Sequence, residues 1–252
     1  RVRDFGYDPV ILTHPPLSAT QAVRAADYEM LHADAFDLGR LWQRMSARGP
    51  RRAPAEAAPS TAPVSKNIGL TSFINRWFMI PDKQIVWLWP ALKKAREYFR
   101  TRRADLIFAS LEPRTILLIA ARLAAQFRIP CVMEYRDLWT GSPYYSLAQP
   151  TALHRWIHRR MEGHAVAKAD KVTALSSGIR QYLETKYGRV LKSAMEVNYN
   201  FFDPGEYPEP AGQKEDGDPF IVVYAGAMYF SRNPQVFLRG FRMFIDAHSL
   251  PP

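Results

Sequence analysis

Short unbroken apolar runs alternate along this chain with longer stretches in which apolar residues recur every three or four positions. Residues 104–139 show the pattern most clearly. Leu106-Ile107-Phe108-Ala109 follows Asp105 as a short apolar run, the signature of a strand buried on both faces. Ser110-Leu111-Glu112-Pro113 interrupts it, and Pro113 stands where a helix begins, at a position whose N–H would have no intrahelical partner. Ile116, Ile119, Ala120, Leu123 and Phe127 then repeat at helical spacing with Arg122 opposite. Ile129-Pro130 stops the helix, and Cys131-Val132-Met133 opens a second strand. Parallel strands joined by one crossover helix form a βαβ unit, and doubly wound sheets built from such units bind ligands at the carboxyl ends of their strands. Attention therefore falls on Ser110–Glu112 and on Glu134–Trp139.

The same reading extends outward. Val10–Thr13 is a strand ended by His14-Pro15-Pro16, with His14 either facing a cleft or sitting in a plain loop. Residues 22–45 are mixed and partly helical, with Leu38, Leu41, Trp42 and Met45 on one side. Residues 46–66 are rich in Pro, Ala and Ser and read as a mobile insertion or linker. Residues 73–92 crowd Trp77, Phe78, Trp87 and Trp89 together, as a packed flap or a lipid-facing surface would. Pro90 opens a helix to about Arg103, with Leu92, Ala95 and Phe99 inward. Its other side carries Lys93, Lys94, Arg96, Arg100, Arg102 and Arg103, a solvated basic face or a contact for anionic membrane.

A helix over Thr151–Lys168 has Leu153, Trp156, Ile157, Met161 and Val166 as its apolar set, leaving His154, His158, Arg159, Arg160 and His164 outward. His154 and His158 have the spacing of a metal pair but no evident third ligand, so metal is not expected. Lys171–Leu175 is a strand, and Ser176 or Ser177 caps a helix from Gly178 to Tyr187 that Gly188 ends. Met195–Tyr199 is a further strand with Asn200–Gly205 as its exit turn. The polar stretch 211–219 marks a boundary, after which Phe220–Gly226 is a buried strand and Pro234 starts a helix to about His248. The domains are thus 1–210 and 218–252. A lone strand–helix unit has no sheet to join, so the natural protein is expected to extend beyond both ends of the chain.

Composition narrows the class. Of 252 residues, 47% are hydrophobic and 23% charged, as in a soluble globular protein. The single cysteine, Cys131, excludes a disulfide framework or a cysteine-built metal site. A formal net charge of +10 favours anionic partners: nucleotide phosphates, acidic lipid headgroups or nucleic acid. No run approaches the roughly 18 apolar residues of a membrane span. The expected location is cytoplasmic, peripheral at the inner face of the membrane.

Four segments, taken in order, resemble one family. They are the corner Glu112-Pro113 after DLIFAS, the strand RIPCVMEYRDLW, the run AKADKVTALSSGIRQYLETKYG, and VNYNFFDPGEY with Asn200, Asp203 and Tyr207 in register. VVYAGAMYFSRNP then looks like the opening of a nucleotide-sugar domain. Together they are similar to the GT-B glycosyltransferases, in particular the retaining family 4. The resemblance implies two Rossmann-like domains, an acceptor-binding one first and then one that grips a nucleotide-sugar without an essential metal or other cofactor. It implies that cations and helix N-termini neutralise the leaving diphosphate. Gly226 and Arg232 would then lie at the donor phosphates, arginine standing where the family has lysine. Arg136 and Asp137 would be catalytic, and His14, Ser110, Glu112, Trp139, Ser176 and Asn200 would line the acceptor cleft.

The chain departs from the family at Ala227, where an arginine is usual, and at Arg136, where many members have histidine. The family's glycine-rich first loop and its paired donor-site glutamates would fall outside the chain, which by itself would lack essential parts. The leading expectation is transfer of a sugar from a nucleotide-sugar to a lipid-linked or saccharide acceptor in envelope or exopolysaccharide synthesis. The alternative is a non-catalytic binding module or degenerate paralogue, with nucleic-acid binding ranked below both.

Overall fold

The computed structural model describes residues 3–14, 28–34, 77, 79–141, 151–201, 205, 221–226 and 233–248. The chain divides into two compact units, Arg1–Phe201 and Phe202–Pro252. In the first, strand β1 (Val10–Thr13) pairs in parallel with β2 (Glu29–His32). Helix α1 (Leu88–Tyr98) follows a 3-10 turn at Lys83–Trp87. Then come β3 (Ile107–Leu111), α2 (Thr115–Phe127), β4 (Cys131–Tyr135), α3 (Ala152–Lys168), β5 (Lys171–Ala174), α4 (Ser177–Tyr187) and β6 (Glu196–Val197). Strands β3 to β6 lie side by side in sequence order, all parallel, so the α/β Rossmann-like architecture expected from the βαβ pattern is present.

That strand order has a consequence. Right-handed crossovers that step always in one direction place α2, α3 and α4 on the same face of the sheet. The burial pattern follows. Ala109, Leu111, Cys131, Met133, Tyr135, Val172 and Ala174 point to the helices and are buried. The opposite face carries Phe108, Ser110, Val132, Glu134, Lys171 and Thr173, and Phe108 is 61% exposed. The run Leu106–Ala109 is therefore not buried on both faces. β3 is an outer strand of its sheet with one side uncovered by described residues, and apolar content alone could not tell these situations apart.

Helix α2 is almost entirely interior, with Leu117, Leu118, Ile119, Ala120, Ala121, Leu123 and Ala124 buried. Its small residues let it sit between β3, β4, α1 and α3. Arg128, in the left-handed conformation at φ 55°, ends it just before Ile129-Pro130. Helix α1 buries Leu88, Ala91, Leu92 and Ala95, close to the expected set. The Trp-rich stretch is divided between two fates. Trp87 is buried and donates from Nε1 to the Ala33 carbonyl at 2.8 Å, tying α1 to the chain beyond β2, whereas Trp89 is 63% exposed.

Helix α3 overturns its expected orientation. His154, His158 and Glu162 are buried, with Ala165 and Val166, while Leu153 and Trp156 are 61% and 58% exposed. Counting apolar residues chose the wrong face because the polar stripe finds partners on distant segments. The Ser176 cap agrees with the sequence, accepting from Ile179 N at 3.3 Å, and Thr151 caps α3 by accepting from His154 N at 3.3 Å. β2 was not expected; Glu29-Met30-Leu31-His32 is too short and polar to show a strand period. The mixed 22–45 region otherwise, the 46–66 insertion and the 211–219 boundary lie outside the described residues.

In the second unit, helix α5 (Gln235–Ala247) begins after Pro234 as expected. Residues 221–226, by contrast, form no strand, and Ile221, Val222, Val223 and Tyr224 are 48–78% exposed. An apolar run becomes a strand only where a neighbouring strand takes its backbone hydrogen bonds. Val236, Phe237, Leu238, Met243 and Phe244 of α5 are likewise exposed.

Candidate functional site at the carboxyl ends of the parallel strands

In the larger sheet β3, β4, β5 and β6 end together at Leu111, Tyr135, Ala174 and Val197. The chain turns after each, which is where a Rossmann-like sheet offers a cleft. Arg136 and Asp137 leave β4 exposed to solvent. Among the described residues neither makes a buried ion pair. Arg136 instead donates from Nη2 to Oδ1 of Asn200 at 3.1 Å, joining the exits of β4 and β6 across 64 residues of sequence. On the uncovered face, one step before the edge, Ser110 donates to Oε2 of Glu134 at 2.7 Å.

Glu112 is exposed after β3, between cis peptide bonds, with Oε1 3.5 Å from Nη2 of Arg114. It does not cap α2. That role belongs to Asp82, whose carboxylate accepts from the Thr115 amide at 3.1 Å, the Thr115 hydroxyl at 2.6 Å and the Gln84 amide at 3.1 Å. Arg114 also donates to the Pro81 carbonyl at 3.3 Å. Asp82, Gln84, Glu112, Pro113 and Arg114 enclose a cavity of about 310 Å³ beside the β3 exit. A larger open groove, about 820 Å³, runs along α4 past Arg159, Gln181, Tyr182, Thr185 and Lys186.

Directly behind the β4 exit the structure buries a polar cluster. Trp139 is fully buried and donates from Nε1 to Nδ1 of His158 at 2.9 Å. Thr140 donates to Oε2 of Glu162, which also accepts from Tyr187 at 2.7 Å and Lys186 at 3.1 Å. Lys186 further donates to Thr140 and to Tyr182, the latter at 3.0 Å. Burial first, and then the nearby Arg114 and His154, push the His158 imidazole down to about 4. Burial and the Glu162 carboxylate push the Tyr187 and Tyr135 phenols up. All three groups thus stay neutral across the physiological range.

The expected site residues therefore divide. Glu112, Arg136, Asp137, Ser176 and Asn200 stand at strand exits of one sheet, and Arg136 and Asn200 touch. Trp139 does not line a cleft, since its indole faces inward to His158. Ser176 spends its hydroxyl on the α4 cap. Ser110 is committed to Glu134. His14, exposed at the end of β1, lies edge-on to Trp87 with centroids 6.5 Å apart. Gly226 belongs to the second unit, where an added Cβ would meet the Tyr224 hydroxyl at 3.1 Å. Arg232 and Ala227 lie outside the described residues. Asp82, His158 and Glu162 were missed: Asp82 acts on a helix 33 residues away, His158 was read as outward-facing, and Glu162 stood out by no local signal.

Among the described residues no cluster of His, Cys, Asp and Glu is arranged to hold a metal ion, and no helix is long and apolar enough to cross a membrane. Compared with known proteins, residues 47–206 match the family model described as Glycosyltransferase Family 4, more than half of the chain. A search of curated proteins returned no match.

Proposed function

Because this chain belongs to glycosyltransferase family 4, we propose that its Arg1–Phe201 unit is the acceptor side of an enzyme that moves a sugar from a nucleotide-sugar to a lipid-linked or saccharide acceptor. The observation that carries the reading is the gathering of exposed polar side chains at the carboxyl ends of one parallel sheet, with Arg136 held by Asn200. Breaking the donor's glycosidic bond leaves a diphosphate with growing negative charge and needs a proton acceptor or hydrogen-bond donors near the acceptor hydroxyl. An exposed arginine beside a carboxylate meets the acceptor-side requirement: Arg136 orients an anionic or polyhydroxylated acceptor, and Asp137 accepts its hydrogen bonds. Donor phosphates would be met by Gly226 and Arg232 through backbone N–H and guanidinium, without metal.

The setting proposed is an anionic membrane surface, in envelope or exopolysaccharide synthesis. On α1 the exposed Trp89 and Lys93 are one turn apart, and Arg96 continues the stripe. Arg100, Arg102 and Arg103 follow, exposed. An amphipathic aromatic with cations beside it suits the headgroup region. Co-sedimentation with vesicles tests this: binding that rises with phosphatidylglycerol content supports it, and equal binding to neutral vesicles refutes it.

The catalytic reading is tested with full-length protein, a panel of nucleotide-sugars and a membrane lipid extract, following nucleoside diphosphate release. Acceptor-dependent release that survives a chelator is the expected result. Binding of saccharide without any release would favour a non-catalytic module instead.

A further inference from the structure

The corner that presents Arg136 and Asp137 continues into two residues that turn inward. Trp139 is seated on His158, its ring meeting the imidazole edge-on at 87° with centroids 6.2 Å apart in addition to the hydrogen bond. Thr140 is seated on Glu162, with Lys186 and Tyr182 beside it. His158 and Glu162 are one turn apart on α3, so successive loop residues are gripped by successive turns of one helix. Gly141 completes the seat, for a Cβ there would lie 2.6 Å from the Tyr182 ring and 2.9 Å from Leu138.

Burying a histidine and a glutamate on the inner stripe of a helix is costly compared with burying leucine, unless both are spent on hydrogen bonds. Here His158 takes the indole N–H of the loop's Trp139, and Glu162 takes the hydroxyl of the loop's Thr140 together with Lys186 and Tyr187 of α4. We infer that His158 and Glu162 are positioning residues, which lock the Arg136–Gly141 corner and so hold Arg136 within reach of Asn200 at the mouth of the cleft. The role of that cleft rests on the function proposed above; the anchoring does not.

The chemistry sets a condition on His158. Its Nδ1 accepts the indole hydrogen bond only when it carries no proton. The basic groups that face it are Arg114 from the start of α2 and His154 from its own helix. Both oppose a second proton on the ring, as burial does. Glu162 is faced by Lys186, Tyr182 and Tyr187 from α4 and by the Tyr135 phenol from β4, and its Oε2 accepts from Thr140.

Hydrogen exchange of full-length protein, read by mass spectrometry over residues 136–141 against β3 and α2 as internal standard, tests the inference. His158→Leu removes the acceptor while keeping bulk, and exchange in the corner should rise roughly tenfold with the standard unchanged. His158→Gln supplies a carbonyl acceptor and should return exchange to within about threefold of the native rate. Trp139→Phe removes the donor from the other side and should loosen the corner like His158→Leu, deciding the matter if the leucine variant does not fold. The Trp139 indole proton resonance should move as His158 titrates. Equal exchange in all variants, or better protection with leucine than with glutamine, would overturn the inference and leave His158 a packing residue. Transfer assays on the same variants separate the two claims. Loosened exchange in a protein without transfer removes only the proposed function. Transfer kinetics and exchange both unmoved by these variants remove only the positioning role.

Discussion

Acidification should destabilise this protein well before its carboxylates are titrated, and His158 is the reason. The imidazole is 1% exposed and held neutral down to about 4, against an ordinary value of 6.5. Between these values the unfolded chain binds a proton that the folded chain refuses, so stability rises with pH across the window and falls as pH is lowered through it. A difference of about 2.5 units at 1.36 kcal/mol per unit makes the full loss about 3 kcal/mol, most of it between pH 6.5 and 4.5. Asp170, bonded to Lys192 and to the Cys131 amide, is held below the usual carboxylate range. Its contribution is present above about pH 3.9 and fades only below that, outside the window. The assay is urea unfolding at half-unit steps from pH 7 to 4.5, for native protein and His158→Gln. The native curve should lose about 2–3 kcal/mol more than the variant over that range. Parallel curves would refute the reasoning, because they would mean the buried ring takes its proton as readily as an exposed one.

Three further outcomes follow from named contacts. Asp82→Ala strips Thr115 and Gln84 of a shared acceptor and should cost about 1–2 kcal/mol in urea unfolding. Gly141→Ala drives a methyl into the Tyr182 ring and should lower stability by about 1–3 kcal/mol, seen as a reduced Tm, with Tyr182→Ala in the same chain recovering part of it. Cys131 is fully buried, and burial together with Asp170 pushes its thiol up to about 12, so a thiol reagent at pH 8 should leave native protein unlabelled and label it in urea.

How far the residues spoke for themselves depended on where their partners lay. The β3–α2–β4–β5–α4 series was legible because each element carries its own period and its own stop: Pro130 after α2, Ser176 before α4, Gly188 after it. The strand periods also placed Arg136, Asp137 and Asn200 just after strand ends, where the structure has them. What could not be read locally was burial decided by remote partners. His158 and Glu162 look like a solvent face until Trp139, Thr140, Lys186 and Tyr187 are brought to them, and His154 until Trp77 is. Trp139 looked like a cleft aromatic for the same reason. Phe108 shows the converse: an apolar residue in an apolar run that no described neighbour covers. Residues 221–226 show that a strand is a property of a pair, since an apolar run there takes no strand conformation.

The central claim is that a family 4 glycosyltransferase places its acceptor against Arg136 at the carboxyl ends of this sheet. The most direct test compares acceptor-dependent nucleoside diphosphate release by full-length native protein and Arg136→Ala, with circular dichroism and urea unfolding as the control for fold. Arg136 is exposed and its one described bond is to Asn200, so its loss should change stability by under about 1 kcal/mol while cutting kcat/KM for the acceptor by at least about a hundredfold. Release that continues at the native rate in a folded Arg136→Ala protein would contradict the account and move the acceptor site elsewhere.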